Sequence, residues 1–205
     1  MTPLLRSTIT ANMIVLPTLS IKNPYTPLIF YAWKTYETRV MPILNKFHGR
    51  YVLLHVSLQD KSDHDMGANT VSSIVGRYKR ICASDTSLPD GWPRCGHIIA
   101  IIEIGQTVLV RKTEAAATAV WENRSFVSRE AFFSTHTAGL YVTRIVCTHK
   151  LKHPVHIPRG YVGLHPCMLP YTCIPDSIDI PRMRTESIME KTRMASWLDS
   201  VARLW

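Results

Sequence analysis

The sequence predicts an α+β protein, a small mixed β-barrel with flanking helices and an added amphipathic helix at its C-terminal end. Three observations lead to this prediction. Apolar, β-branched runs recur along the chain, segments with helical spacing lie between or after them, and prolines crowd the stretch from 150 to 175. Short apolar runs bounded by turn signals are typical of buried strands, and repeated prolines restrict a segment to edge strands and turns.

Three apolar runs are the strongest strand predictions. Residues 51–58 (YVLLHVSL) and 140–146 (LYVTRIV) are rich in β-branched and aromatic residues, and residues 97–104 (HIIAIIEI) are dominated by isoleucine between Gly96 and Gly105. The isoleucine run is typical of a central strand covered on both faces. Glu103 is anomalous there, because a carboxylate inside an aliphatic strand needs a cationic or hydrogen-bonding neighbour.

Two segments carry helical patterns. Ile74, Val75 and Tyr78 stand at helical spacing in a polar stretch between the predicted strands 51–58 and 97–104, which predicts an inserted helix. Near the C-terminal end, Ser187-x-x-Glu190 has the form of a capping box, so we expect an amphipathic helix from about 186 onward. Its apolar face would carry Met194, Trp197, Leu198, Val201 and Leu204.

The composition limits the class of protein and of partner. The chain has 205 residues, 46% hydrophobic and 19% charged, which is typical of about one globular domain. No apolar run approaches the roughly 18 residues of a membrane span, so no membrane partner is expected. Lysine and arginine outnumber aspartate and glutamate by 24 to 15, a net charge of +9. An excess of this sign favours a polyanionic partner, with nucleic acid the first to consider.

Cysteine and histidine usage argues against a metal or disulfide framework. The five cysteines form no C-x-x-C pair, so neither a disulfide framework nor a zinc ribbon is predicted, and a reducing compartment is expected. Cys147-x-His149 and His165-x-Cys167 lie in a stretch dense in both residue types, yet without the paired spacing of a structural zinc site. We predict no metal and no cofactor.

The opening segment leaves two readings of localisation. No acidic residue precedes Glu37, and Ser, Thr and Arg6 give the first residues the composition of an organelle transit peptide. Pro3 and Pro17 would interrupt an amphipathic helix, so the alternative is an extended arm leading into a first strand. The expected location is intracellular, either cytoplasmic or organellar, with the mitochondrion as the organelle indicated. The domain division is 1–18, an N-terminal extension; 19–175, the main domain; and 176–205, a C-terminal linker and helix.

One motif resembles a known family. Lys34-Thr35-Tyr36-Glu37-Thr38-Arg39 fits the Lys-Thr-x-Glu-Thr-Arg signature of the ASCH superfamily, and Asn23-Pro24-Tyr25 stands where that family has a turn before its first helix. GHIIAIIEIGQT, residues 96–107, is similar to the family's second hallmark, a strand that ends in an acid-x-Gly. The order of features over 13–175 is most similar to the eukaryotic EOLA-type branch (endothelium-overexpressed lipopolysaccharide-associated factor). The resemblance implies a PUA-like barrel.

The resemblance also implies a site. In the ASCH fold the Lys34–Arg39 segment and the strand bearing Glu103 would border one cleft, so we expect Lys34, Glu37, Arg39 and Glu103 to converge there. The alternative is a buried ion network in which the two cations neutralise the two acids and fix the first helix on the barrel.

RNA binding is the function that the resemblance and the charge favour together. Lys34 and Arg39 would contact phosphates, and Tyr25, Tyr36 or Trp33 would stack on an unpaired base. A basic surface would hold the backbone, with affinity that falls as salt rises. Its most clustered members are Arg77, Lys79 and Arg80.

Two other functions stay open. Some small bacterial ASCH proteins are amidohydrolases that deacetylate 4-acetylcytidine, which would make Lys34, Glu37 and Glu103 the catalytic candidates. The family's threonine nucleophile is replaced here by Glu37, which could act only as a base. A structural subunit of a ribonucleoprotein, docked through the C-terminal helix with Trp197 and Trp205, is the third reading.

Overall fold

The computed structural model describes residues 12–22, 25–58, 95–111, 139–157, 164–189 and 192. The predicted helix around Ile74 and Tyr78, the basic cluster Arg77, Lys79 and Arg80, and the predicted apolar face from Met194 onward lie outside these residues.

The described residues form six strands and a few short helical segments. The strands are β1 (Met13–Ile21), β2 (Tyr36–Arg39), β3 (Tyr51–Val56), β4 (His97–Val110), β5 (Leu140–His156) and β6 (Leu164–Pro170). The helical segments are α1 (Tyr25–Phe30), the 3-10 turns Asn45–Phe47 and Tyr171–Cys173, and a C-terminal helix at 180–189.

All six strands belong to one mixed sheet in the order β2-β5-β4-β3-β1-β6. β1 and β3 run parallel from the Thr18–Leu53 pair onward, and the other pairings are antiparallel. Pro17 sits in β1 just before that parallel pairing begins, opposite Pro166 of the edge strand β6. Both prolines therefore occupy positions where their missing N–H is tolerated. The sheet places residues 13–18 inside the domain, so the expected boundary at 18 falls within β1.

The three predicted strands are present, but two of them are longer than expected. β4 continues through Gly105 to Val110, whereas the sequence predicts a strand that ends at Gly105. A Cβ at position 105 would lie 3.0 Å from Arg144 Cβ and 3.0 Å from Val146 Cγ2. The pairing with β5 shifts register on both sides of this point. Gly105 therefore marks a bulge where β5 crosses closely, not a strand end.

Each face of the sheet has its own apolar core. On one face, here called the α1 face, Ile102 and Ile145 pack with Ile29 of α1 and Phe47. On the opposite face, the C-helix face, Tyr51 and Ile101 pack with Ile178 and Met183 at the C-terminal helix. Alternate residues of β4 thus serve different cores, as expected for a strand covered on both sides.

The predicted closed barrel is not what the described residues show. β2 and β6 are the two edges of the sheet and do not pair with each other. The sheet is nevertheless strongly curled, because Arg39 Nη2 on β2 lies 3.3 Å from the Ser20 carbonyl oxygen on β1. In a flat sheet four strand spacings would separate these strands by about 19 Å. One edge is therefore joined to β1 by a side chain instead of by strand pairing.

The C-terminal helix starts earlier than the predicted capping box. Asp179 Oδ1 accepts the Arg182 N–H at 3.0 Å, so Asp179 caps a helix that begins at residue 180. Ser187 has another role, since its Oγ accepts the Val15 N–H at 2.8 Å, and Glu186 Oε2 accepts the Tyr51 N–H at 2.8 Å. The described part of this helix packs on its own sheet, and the prediction of a start near 186 was wrong.

Among the described residues, none of the helices has the length and apolar character needed to cross a bilayer.

Candidate functional site

The exit from α1 delivers Lys34 to the interior. Ala32 has a positive φ of 57°, and the N–H groups of Trp33 and Lys34 both donate to the Leu28 carbonyl, at 2.8 and 2.9 Å. This left-handed turn closes the short helix in the manner of a C-cap. The carbonyl oxygen of Thr35, the residue before β2, accepts the Ile145 N–H at 2.8 Å.

Lys34, Glu37 and Arg39 form one ion network on the α1 face. Lys34 is only 1% exposed, and its Nζ lies 3.5 Å from Glu37 Oε2 and 5.1 Å from the centre of the Tyr25 ring. Arg39 Nε lies 2.9 Å from Glu37 Oε1, and its side chain is 30% exposed. The structure therefore brings together three of the four predicted charged residues, together with Tyr25.

Glu103 is not part of this network. Its strand partner Tyr51 belongs to the core of the C-helix face, whereas its neighbours Ile102 and Ile104 belong to the opposite core. Its carboxylate pairs with Arg182 Nη2 at 2.9 Å. The expected convergence of Glu103 with Lys34 is thus corrected, because side chains on adjacent positions of a strand point to opposite faces. The three catalytic candidates Lys34, Glu37 and Glu103 do not share a site.

The aromatic candidates are divided in the same way. Tyr25 lies beside Lys34, but Tyr36 packs against Val108, Val110 and Val142 in a separate apolar cluster. Because Tyr36 and Glu37 are adjacent on β2, their side chains take opposite faces of the sheet.

The burial of these groups decides their chemistry. Lys34 is enclosed by protein, so its ammonium is a positioning charge for Glu37 and cannot meet a large ligand at the surface. Arg39 is the exposed member, held by Glu37 on one side and by the Ser20 carbonyl on the other. A guanidinium fixed in this way presents its remaining N–H groups to an anion at a reduced cost in side-chain entropy.

Arg182 organises a second network that the sequence did not indicate. Besides Glu103 it contacts Glu186 Oε1 at 3.5 Å, donates to the Gly49 carbonyl, and lies 4.6 Å from the centre of the Tyr51 ring. Burial raises the pKa of Glu186, and the Tyr51 N–H and Arg182 oppose that rise. The sequence indicated only that Glu103 needs a cationic neighbour. It did not identify Arg182, because the two residues are 79 positions apart.

Trp33, the third aromatic candidate, lies in a group of rings at the end of α1 whose other members, Phe30 and Tyr31, the sequence did not indicate. The rings of Phe30 and Tyr31 are 5.1 Å apart and nearly perpendicular, and those of Tyr31 and Trp33 are 6.0 Å apart. Lys150 Nζ of β5 lies 4.7 Å from the Phe30 ring centre and 4.6 Å from that of Tyr31.

Four histidines gather at one end of the sheet. The rings of His97 and His156 are 4.9 Å apart, and His55 accepts or donates a hydrogen bond with Ser20 Oγ at 2.8 Å. Burial lowers the pKa of His55, and burial with the nearby charge of His55 lowers the pKa of His165 to about 4. No group of three or more His, Cys, Asp or Glu within the described ranges is arranged to hold a metal ion.

Comparison of the sequence with protein-family models and with curated proteins gives no match. Solved structures do match. The crystal structure of ASCH from Zymomonas mobilis has a TM-score of 0.42 and 10% identity, over 69% of this chain and 73% of that chain. A serine-to-alanine mutant of the Zymomonas mobilis protein has a TM-score of 0.44 and 10% identity, over 73% and 85% of the two chains. A tyrosine-to-phenylalanine mutant has a TM-score of 0.41 and 9% identity, over 69% and 75%.

Proposed function

We propose that this protein is an intracellular ASCH-domain protein with a PUA-like fold, of the EOLA-type branch, that binds RNA through a basic surface that includes Arg39. The Lys34–Arg39 motif supports the family assignment, and the charge distribution supports the polyanionic partner. Membership of a ribonucleoprotein would follow from RNA binding of this kind.

The observation that carries the proposal is the use of the acidic residues. Every aspartate and glutamate in the described part of the chain is engaged within the protein. Glu37 pairs with Lys34 and Arg39, Glu103 and Glu186 pair with Arg182, Asp176 pairs with Lys152, and Asp179 caps a helix.

Several exposed cations, in contrast, have no acidic partner among the described residues. Arg111, Arg144 and Lys150 are exposed, and none of them pairs with a carboxylate in the part of the chain that the structure describes. With a net charge of +9 over the whole chain, the surface potential favours a phosphate backbone, and counterion release would supply much of the affinity.

Arg39 belongs both to the Lys34–Arg39 motif and to the solvent-exposed surface. Its guanidinium is positioned by Glu37, which is in turn held by the buried Lys34. We assign Lys34 and Glu37 as positioning residues and Arg39 as the group that touches a phosphate or a base edge. This division follows from burial, because only Arg39 among the three has substantial contact with solvent.

The test compares RNA binding of the wild type with that of Arg39→Ala and Arg184→Ala. Arg184 is exposed on the C-terminal helix, beside Tyr171, and serves as the matched control for the loss of one positive charge. We expect Arg39→Ala to weaken binding about tenfold and Arg184→Ala less than about twofold. Equal effects of the two variants would show that Arg39 is not a specific contact, and thermal unfolding of each variant checks that the fold is intact.

A further inference from the structure

The rings of Phe30, Tyr31 and Trp33, together with Lys150, form a continuous surface on the α1 face, here called the aromatic–lysine patch. Resting on the proposed RNA binding, we propose that this patch stacks on an unpaired base of single-stranded RNA, and that the protein therefore selects single strands over duplex.

The rings are brought together by the turn that ends α1. Phe30 is the last residue of the helix, and the left-handed conformation of Ala32 lets Trp33 fold back beside Tyr31. Thr148 Oγ1 donates to the Ile29 carbonyl at 3.2 Å, which fixes this end of α1 on β5. The rings are therefore positioned by backbone contacts, so that binding a base requires little ordering.

The three rings are only half-buried. Side chains of this size usually supply core packing, yet the core on this face is filled by Ile29, Phe47 and their aliphatic neighbours, with Phe30 at its border. A partly exposed Trp33 beside Tyr31 offers a flat π surface, on which any nucleobase can stack because every base has a π face.

Lys150 adds a charge to this surface. Its ammonium lies within 5 Å of both the Phe30 and Tyr31 ring centres, which restrains it by cation–π attraction. No carboxylate of the described residues pairs with it. A restrained cation next to aromatic rings can bind the phosphate of a nucleotide whose base stacks on a ring, and this combination is common in proteins that bind single strands.

A duplex would not satisfy the patch. Its bases are already stacked and paired, and the A-form groove offers mainly phosphates and 2′-hydroxyl groups. Contacts from Arg39 and the other exposed cations would remain with a duplex, whereas the contribution of Trp33 would be lost. Selection for single strands should therefore depend on Trp33, and general affinity should not.

The test measures binding of three probes of equal length: an oligouridylate, an abasic ribose-phosphate oligomer of the same charge, and the oligouridylate paired in a duplex, whose second strand doubles the charge. Wild type, Trp33→Ala, Trp33→Phe and Lys150→Ala are compared at one salt concentration and across a salt series. Stacking of one base corresponds to about a tenfold preference for the oligouridylate over the abasic oligomer. We expect Trp33→Ala to remove this preference while leaving the affinity for the abasic oligomer within about twofold, and Trp33→Phe to retain most of it.

Lys150→Ala distinguishes the cation from the rings. It should weaken binding of both single-stranded probes and reduce the salt slope by about 0.7, the value for one phosphate contact on a single strand. A wild type that binds the oligouridylate and the abasic oligomer equally, or a Trp33→Ala variant that keeps the preference, would overturn the patch while leaving the proposed function in place. Failure of all three probes to bind would instead overturn the proposed function itself.

Discussion

Lys34 and Glu37 are an ion pair placed where water hardly reaches, and their energetics follow from that placement. Removing two charges from water costs several kcal/mol for each, and the mutual attraction repays this only while both partners are present. The sequence allows two interpretations of these residues, a ligand cleft and a buried ion network. Because Lys34 is only 1% exposed, Lys34 and Glu37 form a buried ion network. Only Arg39 remains a candidate for contact with a ligand.

A double-mutant cycle tests this reading. Lys34→Met leaves Glu37 with Arg39 alone and should destabilise the fold by about 3 kcal/mol. Lys34→Met combined with Glu37→Gln should cost less than the single change, because the buried carboxylate that has lost its buried cation is then replaced by a neutral amide. Urea unfolding measures both. Single and double variants whose losses simply add would contradict the account of a coupled buried pair.

His165 gives the molecule a predicted acid sensitivity. Its pKa is lowered to about 4 by burial and by His55, whose own pKa is also lowered. An unfolded histidine titrates near 6.5, so the unfolded chain binds more protons than the native state between these values, and stability falls as pH drops from about 6.5 toward 4.

We expect a loss of about 1–2 kcal/mol between pH 7 and pH 5, allowing for partial solvent screening of His165. Glu186 works in the opposite sense, because its raised pKa favours the native state as pH falls. His165→Leu isolates the histidine and should flatten the pH dependence, with the exposed His153→Leu as control. Identical pH profiles for His165→Leu and wild type would exclude the mechanism.

At the scale of elements, the sheet has a gap that the C-terminal helix closes. β1 and β3 pair only from Thr18 and Leu53 onward, so the N–H groups of Val15 and Tyr51 on the earlier part of each strand need other acceptors. Ser187 and Glu186 supply them. The helix is therefore required by the hydrogen-bonding of the sheet as well as by the apolar contacts of Met183.

Ser187→Ala should cost about 1–2 kcal/mol, since it leaves the Val15 N–H buried without its acceptor. Glu186→Gln keeps an oxygen for the Tyr51 N–H, so it should cost less than Glu186→Leu. Thr185→Ala, an exposed change one or two positions away, should stay within about 0.5 kcal/mol. Thermal or urea unfolding gives these values, and a Ser187→Ala variant as stable as Thr185→Ala would contradict the assigned role.

The elements that could be predicted are those whose signal is local. The isoleucine run of β4 and the aliphatic run of β3 carry their own burial pattern, so both strands were expected. The end of β4 was not, because whether Gly105 stops a strand or makes a bulge depends on how closely Arg144 and Val146 approach. The start of the C-terminal helix was misplaced because Ser187 resembles a cap in sequence but serves β1 in space.

Contacts between residues far apart in sequence determine which side chains meet, and the sequence did not reveal these contacts. Three contacts join distant parts of the chain. Glu103 pairs with Arg182, Arg39 reaches the Ser20 carbonyl because the sheet curls, and Lys150 lies over the rings at the end of α1. The Lys34–Arg39 motif predicted the position of the ion network. Glu103, the fourth expected member, is not part of it because its side chain lies on the opposite face of the sheet.

The charge of the whole molecule bears most directly on function. The acidic groups of the described residues are all paired with a cation or a backbone N–H of the protein, while the chain as a whole carries +9. Phosphate contacts from such a surface release counterions, so the logarithm of affinity should fall linearly with the logarithm of salt concentration.

The most direct test of RNA binding is therefore the affinity of the wild-type protein for a single-stranded RNA across a salt series. We expect a linear decrease with a slope steeper than about −2, which corresponds to three or more phosphate contacts. Absence of binding at about 100 mM salt, or an affinity that does not change with salt, would contradict it.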